Sequence, residues 1–316
     1  MNKEKLTNKA IDLLKSMIET PSFSSEEDHT AELIADWFTS LKVPFKRTQN
    51  NIWATNKHFD EGKPTLLLNS HHDTVKPNKG YTKDPFKAVI EDGKLYGLGS
   101  NDAGGCLVSL MATFAYFYSR KNLNYNLVLV ASAEEESSGP NGLNSMLEII
   151  PEIDVAIVGE PTLMNLAIAE KGLVVFDAKV NGTASHAAHP NGDNAIYKTM
   201  KVLKWFQDYK FEKKSPVLGD VKMTVTQIHA GKQHNAVPSE VDLVIDVRVN
   251  DKYSNTEVAT ILKDKSPCSS IKPRSLRLNS SSIPISHPLV EAGIALRRKT
   301  YGSPTLSDQA ALSCPS

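Results

Sequence analysis

The chain has 316 residues, a length that favours about two domains over a single core. Hydrophobic residues make up 40% and charged residues 23% of the sequence, as in ordinary globular proteins. Because 36 basic residues balance 36 acidic ones, the chain has no overall charge with which to attract nucleic acid or an anionic membrane.

The cysteines and the first residues of the chain indicate a cytoplasmic protein. Cys106, Cys268 and Cys314 are far apart and show no CxxC spacing, which argues against a disulfide framework and against a thiolate metal site. The N-terminal segment is charged and amphipathic and lacks the apolar core of a signal peptide. Every apolar run is shorter than the roughly 20 residues that a membrane-spanning helix needs.

Two amphipathic helices are predicted at the start of the chain, over residues 5–18 and 25–41. The second helix carries its apolar side chains on one stripe. Ser24–Glu27 combine hydroxyl and acidic side chains at this point, which is typical of a capping box.

The next part of the chain has the pattern of an α/β domain. Short, continuous apolar runs at 66–68, 127–130 and 155–158 are typical of strands that are covered on both faces. An apolar helix is predicted between them over 103–119, and a shorter one over 139–149. Strands that alternate with helices predict a layered domain with a largely parallel sheet.

From Gly172 the pattern changes to that of strands with one solvated face, because apolar and polar residues alternate. The predicted elements are, in order, strand 172–180, helix 193–211, strand 220–229, strand 237–249, helix 255–264 and strand 274–280. This βαββαβ order is that of a ferredoxin-like α+β domain.

These patterns predict two domains, one of them inserted into the other. Residues 1–171 and 283–316 would form the α/β metallohydrolase domain, and residues 172–282 the inserted ferredoxin-like domain. A helix is predicted from about Pro288, since proline suits the first turn of a helix.

Three of the predicted strands are followed immediately by residues of the types that bind metal ions. They are His71-His72-Asp73, Glu134-Glu135-Glu136 and Glu160. In open α/β sheets, ligands bind at the carboxyl ends of the strands. A glycine-rich segment, residues 95–105, adds Asp102 just before a helix, where one carboxylate could bridge two cations. The four segments together therefore predict a metal site.

Nitrogen and carboxylate-oxygen ligands without a thiolate favour catalytic zinc, with cobalt or manganese as substitutes. Taken singly, an HxD pair, an acidic triplet or a glycine-rich turn most often has only a structural role. The GxGxxD pattern also lacks the third glycine of a dinucleotide-binding fingerprint. The prediction therefore depends on finding all of these segments together, each at a strand end.

Six segments resemble, in order, the motifs of the zinc aminoacylase and carboxypeptidase family of metallopeptidases: SHHDTV, YGLGSNDAGG, SAEEESSG, VGEP, GTASHAAHP and HNAVPSEVDLVIDVRV. The resemblance runs from about residue 66 to the C-terminus. It implies an amide hydrolase that uses one or two zinc ions to remove the acyl group from a small N-acyl amino acid. It also implies a homodimer formed through the inserted domain.

Position in the family motifs implies a role for each residue of the predicted metal site. His71 and Glu160 match ligands of one metal ion, and Glu136 matches a ligand of the other. Asp102 matches the carboxylate that bridges both ions. Asp73 matches the carboxylate that orients His71 and fixes its tautomer.

The acidic triplet also contains the residue that matches the family's general base. Glu135 is that residue, which would take a proton from the attacking water and pass it to the departing amine. A register one residue earlier would select Glu134 and Glu135 instead of Glu135 and Glu136. His72 matches no functional position and is predicted to be structural, with its side chain directed away from the site.

Five further residues match the family's substrate contacts. His186 resembles the histidine that completes the neighbouring subunit's site and stabilises the oxyanion. Asn235 and Arg248 match polar residues that contact substrate, and the planar guanidinium of an arginine suits an α-carboxylate. Ser307 and Asp308 belong to a segment that resembles the family's loop at the substrate pocket.

The resemblance departs from the family pattern at the end of the chain. Family members carry a last metal ligand there, a histidine closely followed by an acidic residue, whereas this sequence reaches Ser316 without one. The α/β domain is therefore expected to be incomplete at its C-terminus. We expect the metal held by His71, Asp102 and Glu160 to bind, and the one held by Asp102 and Glu136 to bind weakly.

The favoured reaction is deacetylation of acetylornithine, a step of arginine biosynthesis, or of N-acetylcitrulline. Desuccinylation of succinyl-diaminopimelate is the first alternative, followed by dipeptide or carboxypeptidase hydrolysis. A non-catalytic, ligand-binding pseudoenzyme is an alternative of another class, because the last histidine is missing. Metal content and the rate of a Glu135→Gln variant distinguish an enzyme from a binding protein.

Overall fold

A computed structural model describes residues 2–301 and 306–307, with side chains up to residue 296. The chain divides into two compact units, of which the first ends at Pro161 and the second begins at Thr162. The boundaries predicted for an inserted domain, 172–282, remain a prediction. Within the described residues, no helix has the length and apolar character needed to cross a membrane.

The first unit contains four helices: α1 (Lys3–Ile18), α2 (Asp28–Ser40), α3 (Gly105–Phe117) and α4 (Leu143–Met146). Its strands are β1 (Lys46–Thr48), β2 (Asn51–Thr55), β3 (Thr65–His71), β4 (Val89–Glu91), β5 (Lys94–Tyr96), β6 (Asn126–Ser132) and β7 (Val155–Val158). An irregular helical turn, Ser100–Gly104, directly precedes α3.

Five of these strands form one sheet in the order β1-β2-β6-β3-β7. β6, β3 and β7 run parallel to one another, whereas β2 is antiparallel to both of its neighbours. The sheet is therefore mixed, and its parallel part contains the three strands that precede the predicted metal ligands. The predicted α/β class is confirmed.

Burial on both faces of the sheet explains why its central strands are apolar throughout. All seven residues of β6 are buried. Alternate residues of a strand point to opposite faces, so Leu129 packs with Phe38 and Phe114 from the helices, while Val128 packs with Met146 on the other face. This packing leaves the carboxyl ends of the parallel strands as the place for polar side chains.

The capping box predicted for α2 is wrong. The helix begins only at Asp28, and the residue before it, Glu27, makes no side-chain cap. Ser25 has a left-handed backbone (φ 72°), which bends the chain before the helix starts. The hydroxyl of Ser24 donates instead to the carboxylate of Asp73, at 2.6 Å.

The described part of the second unit contains three helices: α5 (Ala195–Asp208), α6 (Asn255–Lys265) and α7 (Pro288–Tyr301). Its strands are β8 (Leu166–Ala167), β9 (Ala169–Glu170), β10 (Gly172–Asn181), β11 (Ser185–His186), β12 (Lys222–Ala230), β13 (Ala236–Val237), β14 (Glu240–Val249), β15 (Ser270–Pro273), β16 (Ser281–Ser282) and β17 (Leu306–Ser307). The helix predicted to start at Pro288 is observed.

The main sheet of this unit is antiparallel and has the order β12-β14-β10-β15. Together with α5 and α6, its strands follow one another as βαββαβ, the predicted order. Alternate residues of β10 and β14, among them Phe176 and Ile245, are buried against the helices. This alternation is the period-two pattern from which the strands were predicted.

The last strand of this sheet does not lie where the sequence predicts it. Residues 274–280 were predicted as a strand, but β15 comprises Ser270–Pro273. Among the described residues it pairs only with β10, which makes it an edge strand, and three of its four residues are exposed. An exposed edge strand needs no apolar alternation, and a prediction based on that pattern therefore misses it.

Candidate metal centre

His71, the last residue of β3, is held in one orientation by Asp73. The ring is 1% exposed, and its Nδ1 lies 3.0 Å from the backbone oxygen of Asp73 and 3.3 Å from that residue's carboxylate. A carbonyl oxygen can only accept, so Nδ1 carries the proton. Nε2 therefore faces the remaining carboxylates, at 3.3 Å from Asp102 and 3.8 Å from both Glu135 and Glu160.

Two glycines bring the loop that carries Asp102 close to this histidine. Gly99 has φ 74°, and a β-carbon there would lie 2.6 Å from the methyl group of Thr74. A β-carbon at Gly97, where φ is 152°, would lie 2.3 Å from the side chain of Ile18. Both positions therefore require glycine, for its positive φ and for the close approach of the backbone.

The donor atoms of this cluster fit a divalent cation. His71, Asp102 and Glu136 each offer one ligand atom, and these three atoms all lie within 4.8 Å of one another. Glu160 adds an oxygen, Oε2, that is buried and has no hydrogen-bond partner among the described residues. A buried acceptor without a partner is costly, and a cation would satisfy it. One imidazole and several carboxylates form a donor set that suits a divalent cation such as zinc, cobalt or manganese.

The crowding of carboxylates shifts the pKa of most of these groups. Burial, and then repulsion by Asp102, raises the pKa of Glu136 to about 7. Burial and the neighbouring carboxylates also raise the pKa of Glu160 to about 7. Burial opposes a charge on His71, but its hydrogen bonds with Asp102 and Asp73 outweigh this and raise its pKa to about 11. A divalent cation would replace the histidine's proton and relieve the repulsion.

The residues after β6 show which members of the acidic triplet face the centre. Glu134 is buried, and its carboxylate accepts hydrogen bonds from the backbone and side-chain amides of Asn141, at 3.0 and 2.8 Å. Glu135 lies beside His71 with half of its side chain exposed, and burial raises its pKa. The geometry supports the register in which Glu135 and Glu136 have the chemical roles.

Asp73 connects this segment to the histidine. Its carboxylate accepts the backbone N–H groups of Glu135 and Glu136, at 3.1 and 3.0 Å, and the hydroxyl of Ser24. Burial would raise the pKa of Asp73, but its hydrogen bonds with His71 and Ser24 hold that pKa below its usual value. Sequence reasoning missed Ser24, because no periodicity or motif connects it with a strand end 49 positions away.

His72 faces away from the centre, as its predicted structural role requires. Its Nε2 lies 2.9 Å from the backbone oxygen of Asn50, and its Nδ1 lies 2.9 Å from the hydroxyl of Thr30. The side chain is buried, and burial lowers its pKa.

His186 and Asn235, two of the predicted substrate contacts, are neighbours within the second unit. His186 belongs to β11, which pairs with β13, and is exposed. Asn235 directly precedes β13, and its backbone oxygen accepts the N–H of Ala187 at 2.9 Å. The small sheet thus holds both residues at one place on this unit.

The other predicted substrate contacts are Arg248, Ser307 and Asp308. Arg248 binds Asp246 in a bidentate manner, with its Nε and Nη2 at 2.8 and 3.0 Å from the two carboxylate oxygens. A substrate carboxylate would therefore compete with Asp246 for this guanidinium. Ser307 lies in β17, which pairs with β8, and Asp308 lies outside the described residues.

A cavity of about 270 Å³ adjoins the metal centre and is lined in part by Tyr81, Asp102 and Glu136. A larger cavity of about 1230 Å³ lies at the opposite end of the sheet, where Thr65 and Asn126 begin β3 and β6. Ligands of α/β sheets bind at the carboxyl ends of strands, so the smaller cavity is the candidate substrate site.

A mixed α/β sheet with a histidine and carboxylates clustered at its strand ends is an arrangement suited to metal-dependent hydrolysis. Residues 67–308 match the sequence model of Peptidase family M20/M25/M40, and the chain belongs to this family. The predicted family resemblance is confirmed.

Three known proteins show how specific this similarity is. An acetylornithine deacetylase from Buchnera aphidicola is 27% identical over 275 residues, which cover 81% of this chain and 71% of that protein. A succinyl-diaminopimelate desuccinylase from Rickettsia akari is 26% identical over 273 residues, covering 79% and 71%. The YXEP protein of Bacillus subtilis, a dinuclear metal binding peptidase, has the same fold, with a TM-score of 0.69, 14% identity and coverage of 97% and 83%.

Proposed function

We propose that this chain removes the acetyl group from acetylornithine, or from N-acetylcitrulline, as a step of arginine biosynthesis. The observation that carries the proposal is the cluster of His71, Asp102 and Glu136, with Glu135 beside it. The relative from Buchnera aphidicola is an acetylornithine deacetylase, which supports this choice of substrate. The cavity of about 270 Å³ beside Asp102 suits a substrate of single-amino-acid size.

We propose zinc as the metal, with cobalt or manganese as substitutes. His71, Asp102 and Glu160 would hold one ion, and Asp102 and Glu136 would hold a second. Bound there, zinc would supply the Lewis acidity that polarises an acyl carbonyl and makes water more acidic. The Bacillus subtilis protein is a dinuclear metal binding peptidase, which supports the proposal of two ions in this chain.

Glu135 would act as the general base and then as the general acid. Its side chain is half exposed, so that water and substrate can reach its carboxylate. Its pKa is raised toward neutral pH, and a group that must accept and then return a proton works best when its pKa is near the working pH. Asp73 would keep the Nδ1 of His71 protonated, which leaves Nε2 as the ligand atom.

The second unit would contribute the substrate contacts and the dimer interface. His186 would stabilise the oxyanion in the site of a partner subunit, while Asn235, Arg248, Ser307 and Asp308 would contact substrate. Helix α5 exposes the apolar side chains of Ile196, Tyr197 and Met200. Exposed apolar side chains of this kind support the proposal that a second copy of the chain covers this surface.

Side-by-side assays of acetylornithine, N-acetylcitrulline, succinyl-diaminopimelate and dipeptides, with added zinc or cobalt, test the proposal. We expect the highest kcat/KM with acetylornithine or N-acetylcitrulline. Succinyl-diaminopimelate is the second candidate, because a desuccinylase from Rickettsia akari is about equally similar to this chain. Binding of these compounds without any turnover would instead indicate the non-catalytic binding protein.

A further inference from the structure

Two side chains connect the loop before α2 to the back of the metal centre. Ser24 is partly buried, and its hydroxyl donates to the carboxylate of Asp73 at 2.6 Å. Glu27 is completely buried, although a carboxylate is costly to bury unless its oxygens are hydrogen-bonded. Neither residue caps α2 and neither has a part in the proposed mechanism.

The partners of Glu27 show which part of the molecule it holds. Its Oε1 accepts the N–H of Glu134 at 3.1 Å and that of Ser25 at 2.7 Å. Its Oε2 accepts the side-chain amide of Asn50 at 3.0 Å. This one carboxylate therefore joins three separate segments of the first unit, and one of them is the turn that follows β6.

That turn has a backbone conformation that needs support. Glu134 has φ 53°, the left-handed region that residues other than glycine rarely adopt. The hydrogen bond from its N–H to Glu27 fixes the peptide group at the start of the turn. Glu135 and Glu136 follow directly, and their N–H groups are held by Asp73.

Ser24 acts on the same segment through Asp73. The carboxylate of Asp73 accepts from Ser24, Glu135 and Glu136, and it also lies beside the ring of His71. The hydroxyl of Ser24 therefore limits the positions that this carboxylate can take.

We propose that Ser24 and Glu27 are positioning residues, which hold residues 134–136 so that Glu135 and Glu136 face the metal centre. The proposal rests on the proposed function, because it takes Glu135 as the base and Glu136 as a ligand. Neither residue lies in the metal site: Ser24 acts through its hydrogen bond to Asp73, and Glu27 acts through its hydrogen bond to Glu134, which directly precedes Glu135.

Hydrogen–deuterium exchange on the metal-free protein tests the proposal without any need for activity. The variants are Glu27→Gln and Ser24→Ala; glutamine has one acceptor oxygen, which cannot serve both the N–H of Glu134 and the amide of Asn50. Glu26→Gln is the matched control, because Glu26 is exposed. Ser24→Thr is the rescue variant, since it restores a hydroxyl.

We expect faster exchange in peptides that contain residues 134–136 for Glu27→Gln and Ser24→Ala, and wild-type exchange for Glu26→Gln and Ser24→Thr. Zinc titrations should show affinity that is roughly 10-fold to 100-fold weaker in the first two variants, as for other residues that support metal ligands. At saturating zinc, kcat should fall with little change in KM.

Wild-type exchange and wild-type zinc affinity in both variants would overturn the proposal. If Glu27→Gln does not unfold cooperatively, the comparison of Ser24→Ala with Ser24→Thr decides. A wild-type protein that hydrolyses none of the amides would contradict the proposed function, whereas the exchange and zinc measurements would still test whether residues 134–136 are positioned.

Discussion

The carboxylate of Asp73 accepts the backbone N–H of Glu136 at 3.0 Å. The same carboxylate lies 3.3 Å from Nδ1 of His71. Asp73 thus fixes a predicted ligand at the end of β3 and another after β6, although it would not touch a metal ion itself. The geometry of the centre therefore depends on a residue outside the proposed ligand set.

Replacement of Asp73 by asparagine should weaken zinc binding and lower kcat/KM, each roughly 10-fold to 100-fold. The asparagine NH₂ group can only donate, so it would oppose an N–H or hydroxyl donor where Asp73 now accepts. Isothermal titration with zinc and steady-state kinetics measure the two effects. Asp36→Asn, at an exposed position on α2, is the control. Equal zinc affinity in the two variants would contradict this role of Asp73.

Glu135→Gln should bind zinc like the wild-type protein but turn over roughly 10²-fold to 10⁴-fold more slowly, the usual contribution of a general base. The amide keeps the size of the side chain but cannot accept the proton of the attacking water. Metal content and kcat, measured on the same preparation, check both parts. Glu148→Gln, an exposed change of the same type, should keep full activity. Unchanged turnover in Glu135→Gln would remove Glu135 from the mechanism.

His72 should make the metal-free protein less stable as the pH drops below about 6.5, whereas Glu136 and Glu160, whose pKa values are raised to about 7, should act in the opposite direction. Burial lowers the pKa of His72 from its ordinary value of 6.5, so the folded state holds the neutral ring. The unfolded chain binds a proton below that pH, and protonation then favours unfolding. The contribution of the neutral His72 ring to stability is therefore complete above pH 6.5 and is lost as the pH falls toward the lower pKa of the folded state.

Urea unfolding at several pH values, with EDTA present, measures this effect. Relative to His72→Asn, the wild-type protein should lose stability as the pH falls below about 6.5. His29→Asn, at an exposed position, is the control. A His72→Asn profile parallel to that of the wild type would show that His72 does not titrate in this way.

Gly99→Ala should destabilise the first unit by roughly 1–3 kcal/mol and weaken zinc binding, because the turn before Asp102 would have to shift. Gly93→Ala separates the effect of the positive φ from the effect of the contact with Thr74. Gly93 has nearly the same φ, 73°, but a β-carbon there would meet nothing within 4 Å. Denaturation curves should show a larger loss for Gly99→Ala. Equal losses would mean that contact with Thr74 is unimportant.

The arrangement at the strand ends was predictable because buried strands have a clear sequence pattern. The apolar runs 66–68 and 127–130 are continuous, so the strands that lead to His71 and Glu134 could be placed directly. The βαββαβ order was predictable for a similar reason, since β10 and β14 alternate buried and exposed residues.

Contacts between distant segments were not predictable in this way. Ser24 meets Asp73 across 49 positions, and Glu27 meets Glu134 across 107. A local interpretation of Ser24 and Glu27 therefore gave a helix cap that does not form. The pair of Asp246 and Arg248 is different: residues two apart on a strand share a face, so their contact could have been anticipated.

Anomalous diffraction from crystals grown with zinc tests most directly whether these side chains form a metal centre. We predict a zinc peak about 2.0–2.2 Å from Nε2 of His71 and from carboxylate oxygens of Asp102 and Glu160, with a second, weaker peak at Asp102 and Glu136. Zinc bound elsewhere, with the four side chains pointing into different regions, would contradict the account.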